Sequence, residues 1–327
     1  MRDVFRILVY IGVSLLLAAV ISPLLYKAGK NFAEVFAHKD TTDSLVWLGK
    51  KAAKAEFDTY FKRSLMLAAL LGLWPLIHSL KSHRRQEQDS IWASLFQRPS
   101  ASLLSGPRQC GTGFFVSAGA FLIMALLIQI LGWRIWDPTV STSEIPSIAF
   151  KSIQSAIAVS LVEEVLFRGF LMAIFLRAFR PSVAIIAVTL LFTSVHFLQP
   201  PSDTVISNPW ALTAGFEMLS LVGQRFLEPQ LIAFGFSTLF LTGLILAIAR
   251  HKSGSLWLSL GLHAGLIFSL KFYHKLTECH PEHPKGAGIY LGESTLEGIL
   301  PLAILLTIGI IVVISLRKSA CRETPSP

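Results

Sequence analysis

Two adjacent carboxylates and a guanidinium interrupt an apolar stretch of the chain, Ser160-Leu-Val-Glu163-Glu164-Val-Leu-Phe-Arg168-Gly169. Ionisable side chains at the centre of a membrane helix cost about 2.5–3.5 kcal/mol each on insertion scales, so they indicate function. Glu164 and Arg168 are four residues apart and share a helix face, which predicts an ion pair. Glu163 is turned about 100° away and is predicted to be a general base. The alternative is a buried salt bridge that only holds helices together.

Two histidines lie in other apolar segments, His196 in Phe192-Thr-Ser-Val-His196 and His263 in Gly261-Leu-His263-Ala-Gly265. A single histidine in a membrane usually forms a hydrogen bond between helices. Two of them beside a glutamate favour hydrolysis, because neutral imidazole donates to, or accepts from, a water that Glu163 deprotonates. Glu163, His196 and His263 are also possible zinc ligands. The sequence leaves both zinc and a metal-free, glutamate-activated water open.

A second possible metal site is the run Cys279-His-Pro-Glu-His283. It lies in a polar loop, and the sequence offers no fourth ligand at a matching spacing. This run is therefore a weaker prediction than the glutamate–histidine set.

The three segments together resemble the CAAX-protease and bacteriocin-processing family, which includes the type II CAAX prenyl endopeptidases and bacterial relatives often called Abi proteins. The similar pattern is Glu163-Glu164-x-x-x-Arg168, then Phe192-x-x-x-His196, then His263. The resemblance implies an intramembrane endopeptidase in which Glu163 and His196 activate water. It also implies that His263 stabilises the oxyanion, and that Glu164, Arg168 and Phe192 support the site.

One departure from the family pattern is Ile267, which stands where the family commonly has an asparagine. Loss of an oxyanion donor costs on the order of 10²–10³ in rate. Ser259 and Ser269 are the substitutes that the sequence offers. The departure leaves a non-catalytic membrane scaffold or immunity protein of the same fold as an alternative. A proton-coupled transporter is another, although the chain shows no two-fold repeat of hydropathy.

The composition indicates that these segments are membrane helices. The chain has 327 residues, of which 53% are hydrophobic and 15% charged. The apolar blocks are about as long as the roughly 20 residues that cross a bilayer, and such spans must be helical because lipid offers no partner to the backbone. We predict an all-α, polytopic transmembrane helical bundle of about eight helices. Its predicted spans are 4–26, 64–80, 114–132, 148–176, 183–199, 230–250, 255–273 and 299–316.

The predicted bundle has three regions, which are residues 1–147 with the N-terminal helices, 148–273 as the catalytic core, and 274–327 with the last helix. Residues Ser152, Ala156 and Ser160 are predicted to form a small, polar seam for close helix packing. Arg2 and Arg6 before the first span also permit a cleaved signal peptide, but the length of that span favours a retained helix.

The charge distribution bears on partners and orientation. The net charge is +9, but the basic residues flank the apolar blocks, which indicates membrane lipids as partners and argues against nucleic acid. The substrate expected is a membrane-bound or lipidated protein. With eight spans, five basic segments fall on one side, which predicts a multi-pass protein of the bacterial inner (plasma) membrane with both termini in the cytoplasm. The loop 27–63 does not fit, since it lies on the other side and holds eight Lys or Arg.

Overall fold

The computed structural model describes residues 2–37, 44–81, 106–198, 205–227, 231–282, 288–291 and 298–321. Each of the eight predicted spans coincides with a helical segment, which confirms the all-α bundle. Four helical stretches in the described part are long and apolar enough to cross a membrane. They are Val4–Phe36, Gly106–Ile130, Ala233–Ser253 and Ile299–Leu316. Much of the basic loop 81–108 and the histidine His283 lie outside the described residues.

The contacts divide the chain into two compact units. The first unit comprises residues 1–85 and 195–228. Its helices pack around an apolar cluster that includes Tyr26, Phe61 and Met218. They are α1 (Arg2–Phe36), α2 (Ser44–Lys54), α3 (Phe57–Lys81) and α8 (Ala214–Arg225).

The second unit comprises residues 86–194 and 229–327. In chain order its helices are α4 (Gly106–Ile130), α5 (Ile145–Glu163), α6 (Met172–Ala178), α7 (Pro181–Phe197, whose last turn belongs to the first unit), α9 (Ser237–Ser253), α10 (Trp257–Leu276) and α11 (Ile299–Cys321). Two segments are wound as π-helix, Glu164–Leu171 between α5 and α6, and Leu231–Phe236 before α9.

Local signals set the ends of the helices that carry the candidate residues. Pro146 lies in the first turn of α5, where its missing N–H costs no hydrogen bond. Helix α9 ends at Gly254, whose φ of 72° is left-handed and whose N–H donates to the Arg250 carbonyl. This turn reverses the chain, so that α10 begins only three residues later.

A short antiparallel sheet joins the end of α4 to the end of α10. Its strands are β1 (Arg134–Trp136) and β2 (Thr277–Cys279), with Ile135 paired to Glu278. The buried Arg134 guanidinium donates to the Thr277 hydroxyl at 2.9 Å and to the Thr277 carbonyl. The last turn of α10 is thereby fixed to the strand that follows α4.

Helices α4 and α10 pack closely because glycines face backbone across their interface. A Cβ at Gly261 would lie 2.0 Å from the Cys110 carbonyl oxygen, and one at Gly265 would lie 2.4 Å from the Phe114 carbonyl oxygen. The Ser117 hydroxyl donates across the interface to the Leu262 carbonyl at 2.8 Å. Small residues and interhelical hydrogen bonds of this kind hold membrane helices together. They fix the rotation of α10 and therefore the direction of the side chain at position 263.

We expect Gly261→Ala to lower the thermal unfolding midpoint of the detergent-solubilised protein, because one methyl group forces α10 away from α4. Overpacking of this kind costs roughly 1–3 kcal/mol. Gly119→Ala on α4 is the matched control, since nothing lies within 4 Å of its Cβ position. An unchanged midpoint for Gly261→Ala would show that the two helices are free to separate.

Candidate functional site

The carboxylate pair lies at the boundary between two helix types. Helix α5 ends at Glu163, and the π-helical segment begins at Glu164 and ends at Leu171. Single π-helical turns within α-helices are rare and are frequently found at functional sites. The buried residues of α5 are Ser152, Ala156 and Ser160, as the sequence predicted, and α5 packs on α10.

Glu164 is the centre of the buried polar cluster. Its side chain is 0% exposed, and its Oε1 atom lies 3.2 Å from Arg168 Nη1, which confirms the predicted ion pair. The same oxygen lies 2.9 Å from His263 Nδ1. One oxygen of the Glu164 carboxylate therefore contacts both a guanidinium and an imidazole. Both contacts are strengthened by the low dielectric of the buried surroundings.

Arg168 is held by three different groups besides its ion pair. Its Nη2 donates to the Gly243 carbonyl on α9 at 3.2 Å. Its guanidinium lies over the Phe192 ring, 4.2 Å from the ring centroid. It also lies 5.8 Å from the centroid of the Phe167 ring. A cation over an aromatic face is attracted by the ring quadrupole, most strongly where water is excluded. Phe192 therefore supports the site through Arg168, and its ring also lies edge-on to that of His263 at 6.2 Å.

His263 lies between the two adjacent glutamates. Its Nδ1 meets Glu164, and its Nε2 lies 3.8 Å from Glu163 Oε2. Because an ionised carboxylate only accepts, Nδ1 carries the proton in the Glu164 contact. Nε2 is then the ring nitrogen that can accept a proton, or take part in a hydrogen bond, on the side facing Glu163. The Glu163 side chain is 24% exposed, in contrast to the enclosed Glu164.

A small cavity of about 20 Å³ adjoins His263 on another side, with room for about one water molecule. Its walls come from α4, α9, α10 and α11 and are mostly Leu and Ile. The hydroxyls of Ser117 and Thr242 also line it, but both donate to backbone carbonyls. The imidazole therefore has a mostly apolar neighbourhood on this side, and its polar contacts among the described residues are with the two carboxylates.

The structure brings five of the six predicted site residues together in the second unit, namely Glu163, Glu164, Arg168, Phe192 and His263. His196, in the last turn of α7, belongs to the first unit, and its role as a water-orienting residue stays a prediction.

Of the three predicted zinc ligands, Glu163 and His263 meet within the second unit, whereas His196 belongs to the first. Among the described residues, no group of three or more His, Cys, Asp or Glu side chains could hold a metal ion. Glu163 and His263 supply two donors, whereas catalytic zinc usually has three protein ligands. The function proposed below therefore uses no step through a metal.

Two contributors to the cluster have no sequence signal. Every residue has a backbone carbonyl, so the role of the Gly243 carbonyl leaves no trace in the sequence. The position itself favours glycine, because a Cβ there would lie 2.9 Å from Phe192 Cδ1. The shared contact of Glu164 with His263 depends on helix packing. Ser259, considered as a substitute oxyanion donor, is buried and donates to the Leu256 carbonyl at 3.1 Å. Ile267 is half-buried, one turn after His263 on α10.

We expect Arg168→Met to destabilise the protein strongly, because Glu164 would keep its charge in the interior with one cation fewer. Breaking a buried ion pair costs about 3–5 kcal/mol, measurable as a lower unfolding midpoint. Adding Glu164→Gln should recover part of that loss, since the double variant buries no unbalanced charge. Arg108→Met, at an exposed arginine of α4, is the control. A double variant less stable than Arg168→Met alone would contradict the ion-pair account.

Comparison with known proteins identifies the part of the chain that carries this cluster. Residues 145–268 match the family model described as type II CAAX prenyl endopeptidase Rce1-like. No curated protein and no solved structure matches the chain. The matched segment covers a little over a third of the chain and includes all six predicted site residues. This match supports the predicted resemblance of the chain to the CAAX-protease family, through a segment that is similar to the type II CAAX prenyl endopeptidases.

Proposed function

We propose that the protein is an intramembrane endopeptidase that hydrolyses a peptide bond of a membrane-associated or lipid-anchored protein, with Glu163 as its general base. The observation that carries the proposal is the unequal environment of two neighbouring carboxylates. Glu164 is enclosed and bound by His263 and Arg168, whereas Glu163 reaches the protein surface and faces the same imidazole. Pairs of carboxylates with different environments commonly divide acid–base roles in enzymes.

In the proposed reaction, Glu163 removes a proton from a water molecule that attacks the scissile carbonyl. A correctly placed general base contributes about 10²–10⁴ in rate. His196 orients the water, a role assigned from the family resemblance. The carbonyl C–O double bond becomes a C–O single bond with a negative oxygen, and Glu163 is now neutral.

His263 stabilises the oxyanion in this proposal. Glu164 accepts from Nδ1–H and thereby orients the imidazole with Nε2 toward Glu163, where Nε2 is a second donor once it carries a proton. While Glu163 is ionised, it competes for that donor. Once Glu163 has taken the proton from water, Nε2–H is available to the substrate oxygen. The oxyanion then re-forms the carbonyl as the C–N bond breaks, and Glu163 returns its proton to the leaving amine, which restores the Glu163 carboxylate.

The substrate class follows from the location of the site. Glu163 lies at the end of α5 and His263 lies on α10, and α10 packs on α4, which is long and apolar enough to cross a membrane. This packing supports a scissile bond held at or within the bilayer. The family model is described by its action on CAAX prenyl proteins. A lipid anchor near the cleaved bond would bring a polypeptide to this depth, and we propose that class of substrate here.

We expect Glu163→Gln to reduce peptide cleavage by at least about 10²-fold while leaving expression and the unfolding midpoint near those of the wild type. Cleavage of a prenylated peptide by the purified protein in lipid vesicles is the measurement. Glu278→Gln, an exposed glutamate on β2, is the control. Comparison of the membrane peptides of cells carrying wild type or Glu163→Gln would then reveal the natural substrate. Equal cleavage by Glu163→Gln would remove the hydrolase proposal.

A second candidate is a non-catalytic membrane scaffold of the same fold, and the observation that favours it is Ile267. An isoleucine cannot donate a hydrogen bond to an oxyanion at the position where the family commonly has asparagine. In this case the wild type would not cleave the peptide, and Glu163→Gln would retain the full cellular function.

We expect Ile267→Asn to raise kcat with little change in KM, because position 267 follows His263 by one turn on the same face of α10. An added oxyanion donor is worth up to about 10²–10³ in rate. Ile267→Leu, which keeps the apolar character, should leave kcat unchanged. If Ile267→Asn folds and its kcat equals that of the wild type, position 267 does not reach the substrate oxygen.

A further inference from the structure

The loop 27–63, whose basic charge opposes the predicted orientation, contains a helix with an unusual distribution of side chains. Helix α2 (Ser44–Lys54) buries Val46 and Gly49 and packs on α1. Its exposed side carries Lys50, Lys51 and Lys54, which we call the lysine patch. The helix contains no acidic residue.

The position of the lysine patch along α1 can be read from two hydrogen bonds. Residues 7–26 of α1 contain no charged side chain, and about 20 helical residues span the roughly 30 Å of hydrocarbon. Lys27 is the first charge after this stretch. One turn later, Lys30 Nζ donates to the Ala53 and Ala55 carbonyls at 2.8 and 2.9 Å. The end of α2 is therefore held about one helical turn beyond the point where α1 leaves the hydrocarbon.

The lysine patch matches the depth of the lipid headgroup layer. From Lys54 to Lys50 the helix rises about 6 Å at 1.5 Å per residue. The headgroup layer adds about 5–8 Å on each side of the hydrocarbon. Trp210 packs on the ring of Tyr26 at the same end of the uncharged stretch and is itself exposed, as expected for an aromatic residue at a membrane interface.

The charges around the lysine patch leave it strongly basic. The acidic residues that follow α2 are Glu56 and Asp58, and Asp58 binds Lys62 at 3.0 Å. Lys51 Nζ lies over the Trp47 ring, 3.8 Å from its centroid, so that the aromatic ring holds this ammonium in place. Three ammonium groups within about 6 Å of one another along the helix axis are complementary to the negatively charged phosphate groups of lipids.

We propose that the lysine patch binds the headgroups of anionic phospholipids. Each lysine near an anionic surface favours binding by about fivefold, and salt weakens the effect. The lysines at the end of α2 are then a lipid-binding feature of this loop, in addition to any influence on membrane orientation.

The test compares lipid retention by the full-length protein. Delipidated protein is exposed to mixed micelles of phosphatidylglycerol and phosphatidylcholine in equal amounts, and native mass spectrometry counts the lipids that remain bound. We expect the wild type to enrich phosphatidylglycerol, and the triple variant Lys50→Gln/Lys51→Gln/Lys54→Gln to lose about tenfold of that preference at moderate salt. The charge-preserving variant with arginine at the same three positions should retain it.

A matched control removes three exposed lysines of the other unit, with Lys151→Gln/Lys252→Gln/Lys275→Gln. An equal loss in this control and in the triple variant would show that net charge alone selects the lipid, and would overturn the proposed patch. Unchanged preference in the triple variant would also overturn it. Peptide cleavage in phosphatidylcholine vesicles should be the same for all variants, so the result is independent of the proposed function.

Discussion

The buried contact of Glu164 with Arg168 and His263 is the interaction on which the second unit is organised. An ionised carboxylate in a protein interior is stable only with cations or donors beside it, and Glu164 has both on one oxygen. The groups around this charge come from the π-helical segment, α7, α9 and α10, which therefore meet at one place. Glu163 is positioned as a consequence, because it is the adjacent residue on the same helix.

The precision of this cluster comes from packing elsewhere. Helix α10 meets α4 through glycines that bring the two backbones close together and through the hydrogen bond from Ser117 to the Leu262 carbonyl. The sheet at the far end of α10 adds a second attachment through Arg134. Rigid support of this kind keeps an imidazole within hydrogen-bond distance of its carboxylate, which catalysis by positioned acids and bases requires.

Side-chain patterns predicted a large part of this arrangement. The lengths of the apolar spans predicted the helices, and the four-residue spacing predicted the Glu164–Arg168 ion pair. The small residues of α5 predicted its buried face. The contact of His263 with Glu164 was not predicted, because one sequence does not contain the relative rotation of two distant helices. The Gly243 carbonyl had no signal either, since every residue carries one. The position of His196 relative to Glu163 stays a prediction.

The π-helical winding from Glu164 to Leu171 has a consequence for how relatives of this chain are compared. Each hydrogen-bonded ring in such a segment closes over one residue more than in an α-helix, so the angular phase of everything after it is shifted. A helical wheel continued from α5 into α6 assigns the wrong faces to Met172–Ala178. A homologue that lacks one residue here would return to regular α-helical winding while its flanking helices keep their relative orientation. Alignments through this stretch should therefore be anchored on the paired glutamates and allowed a gap after them.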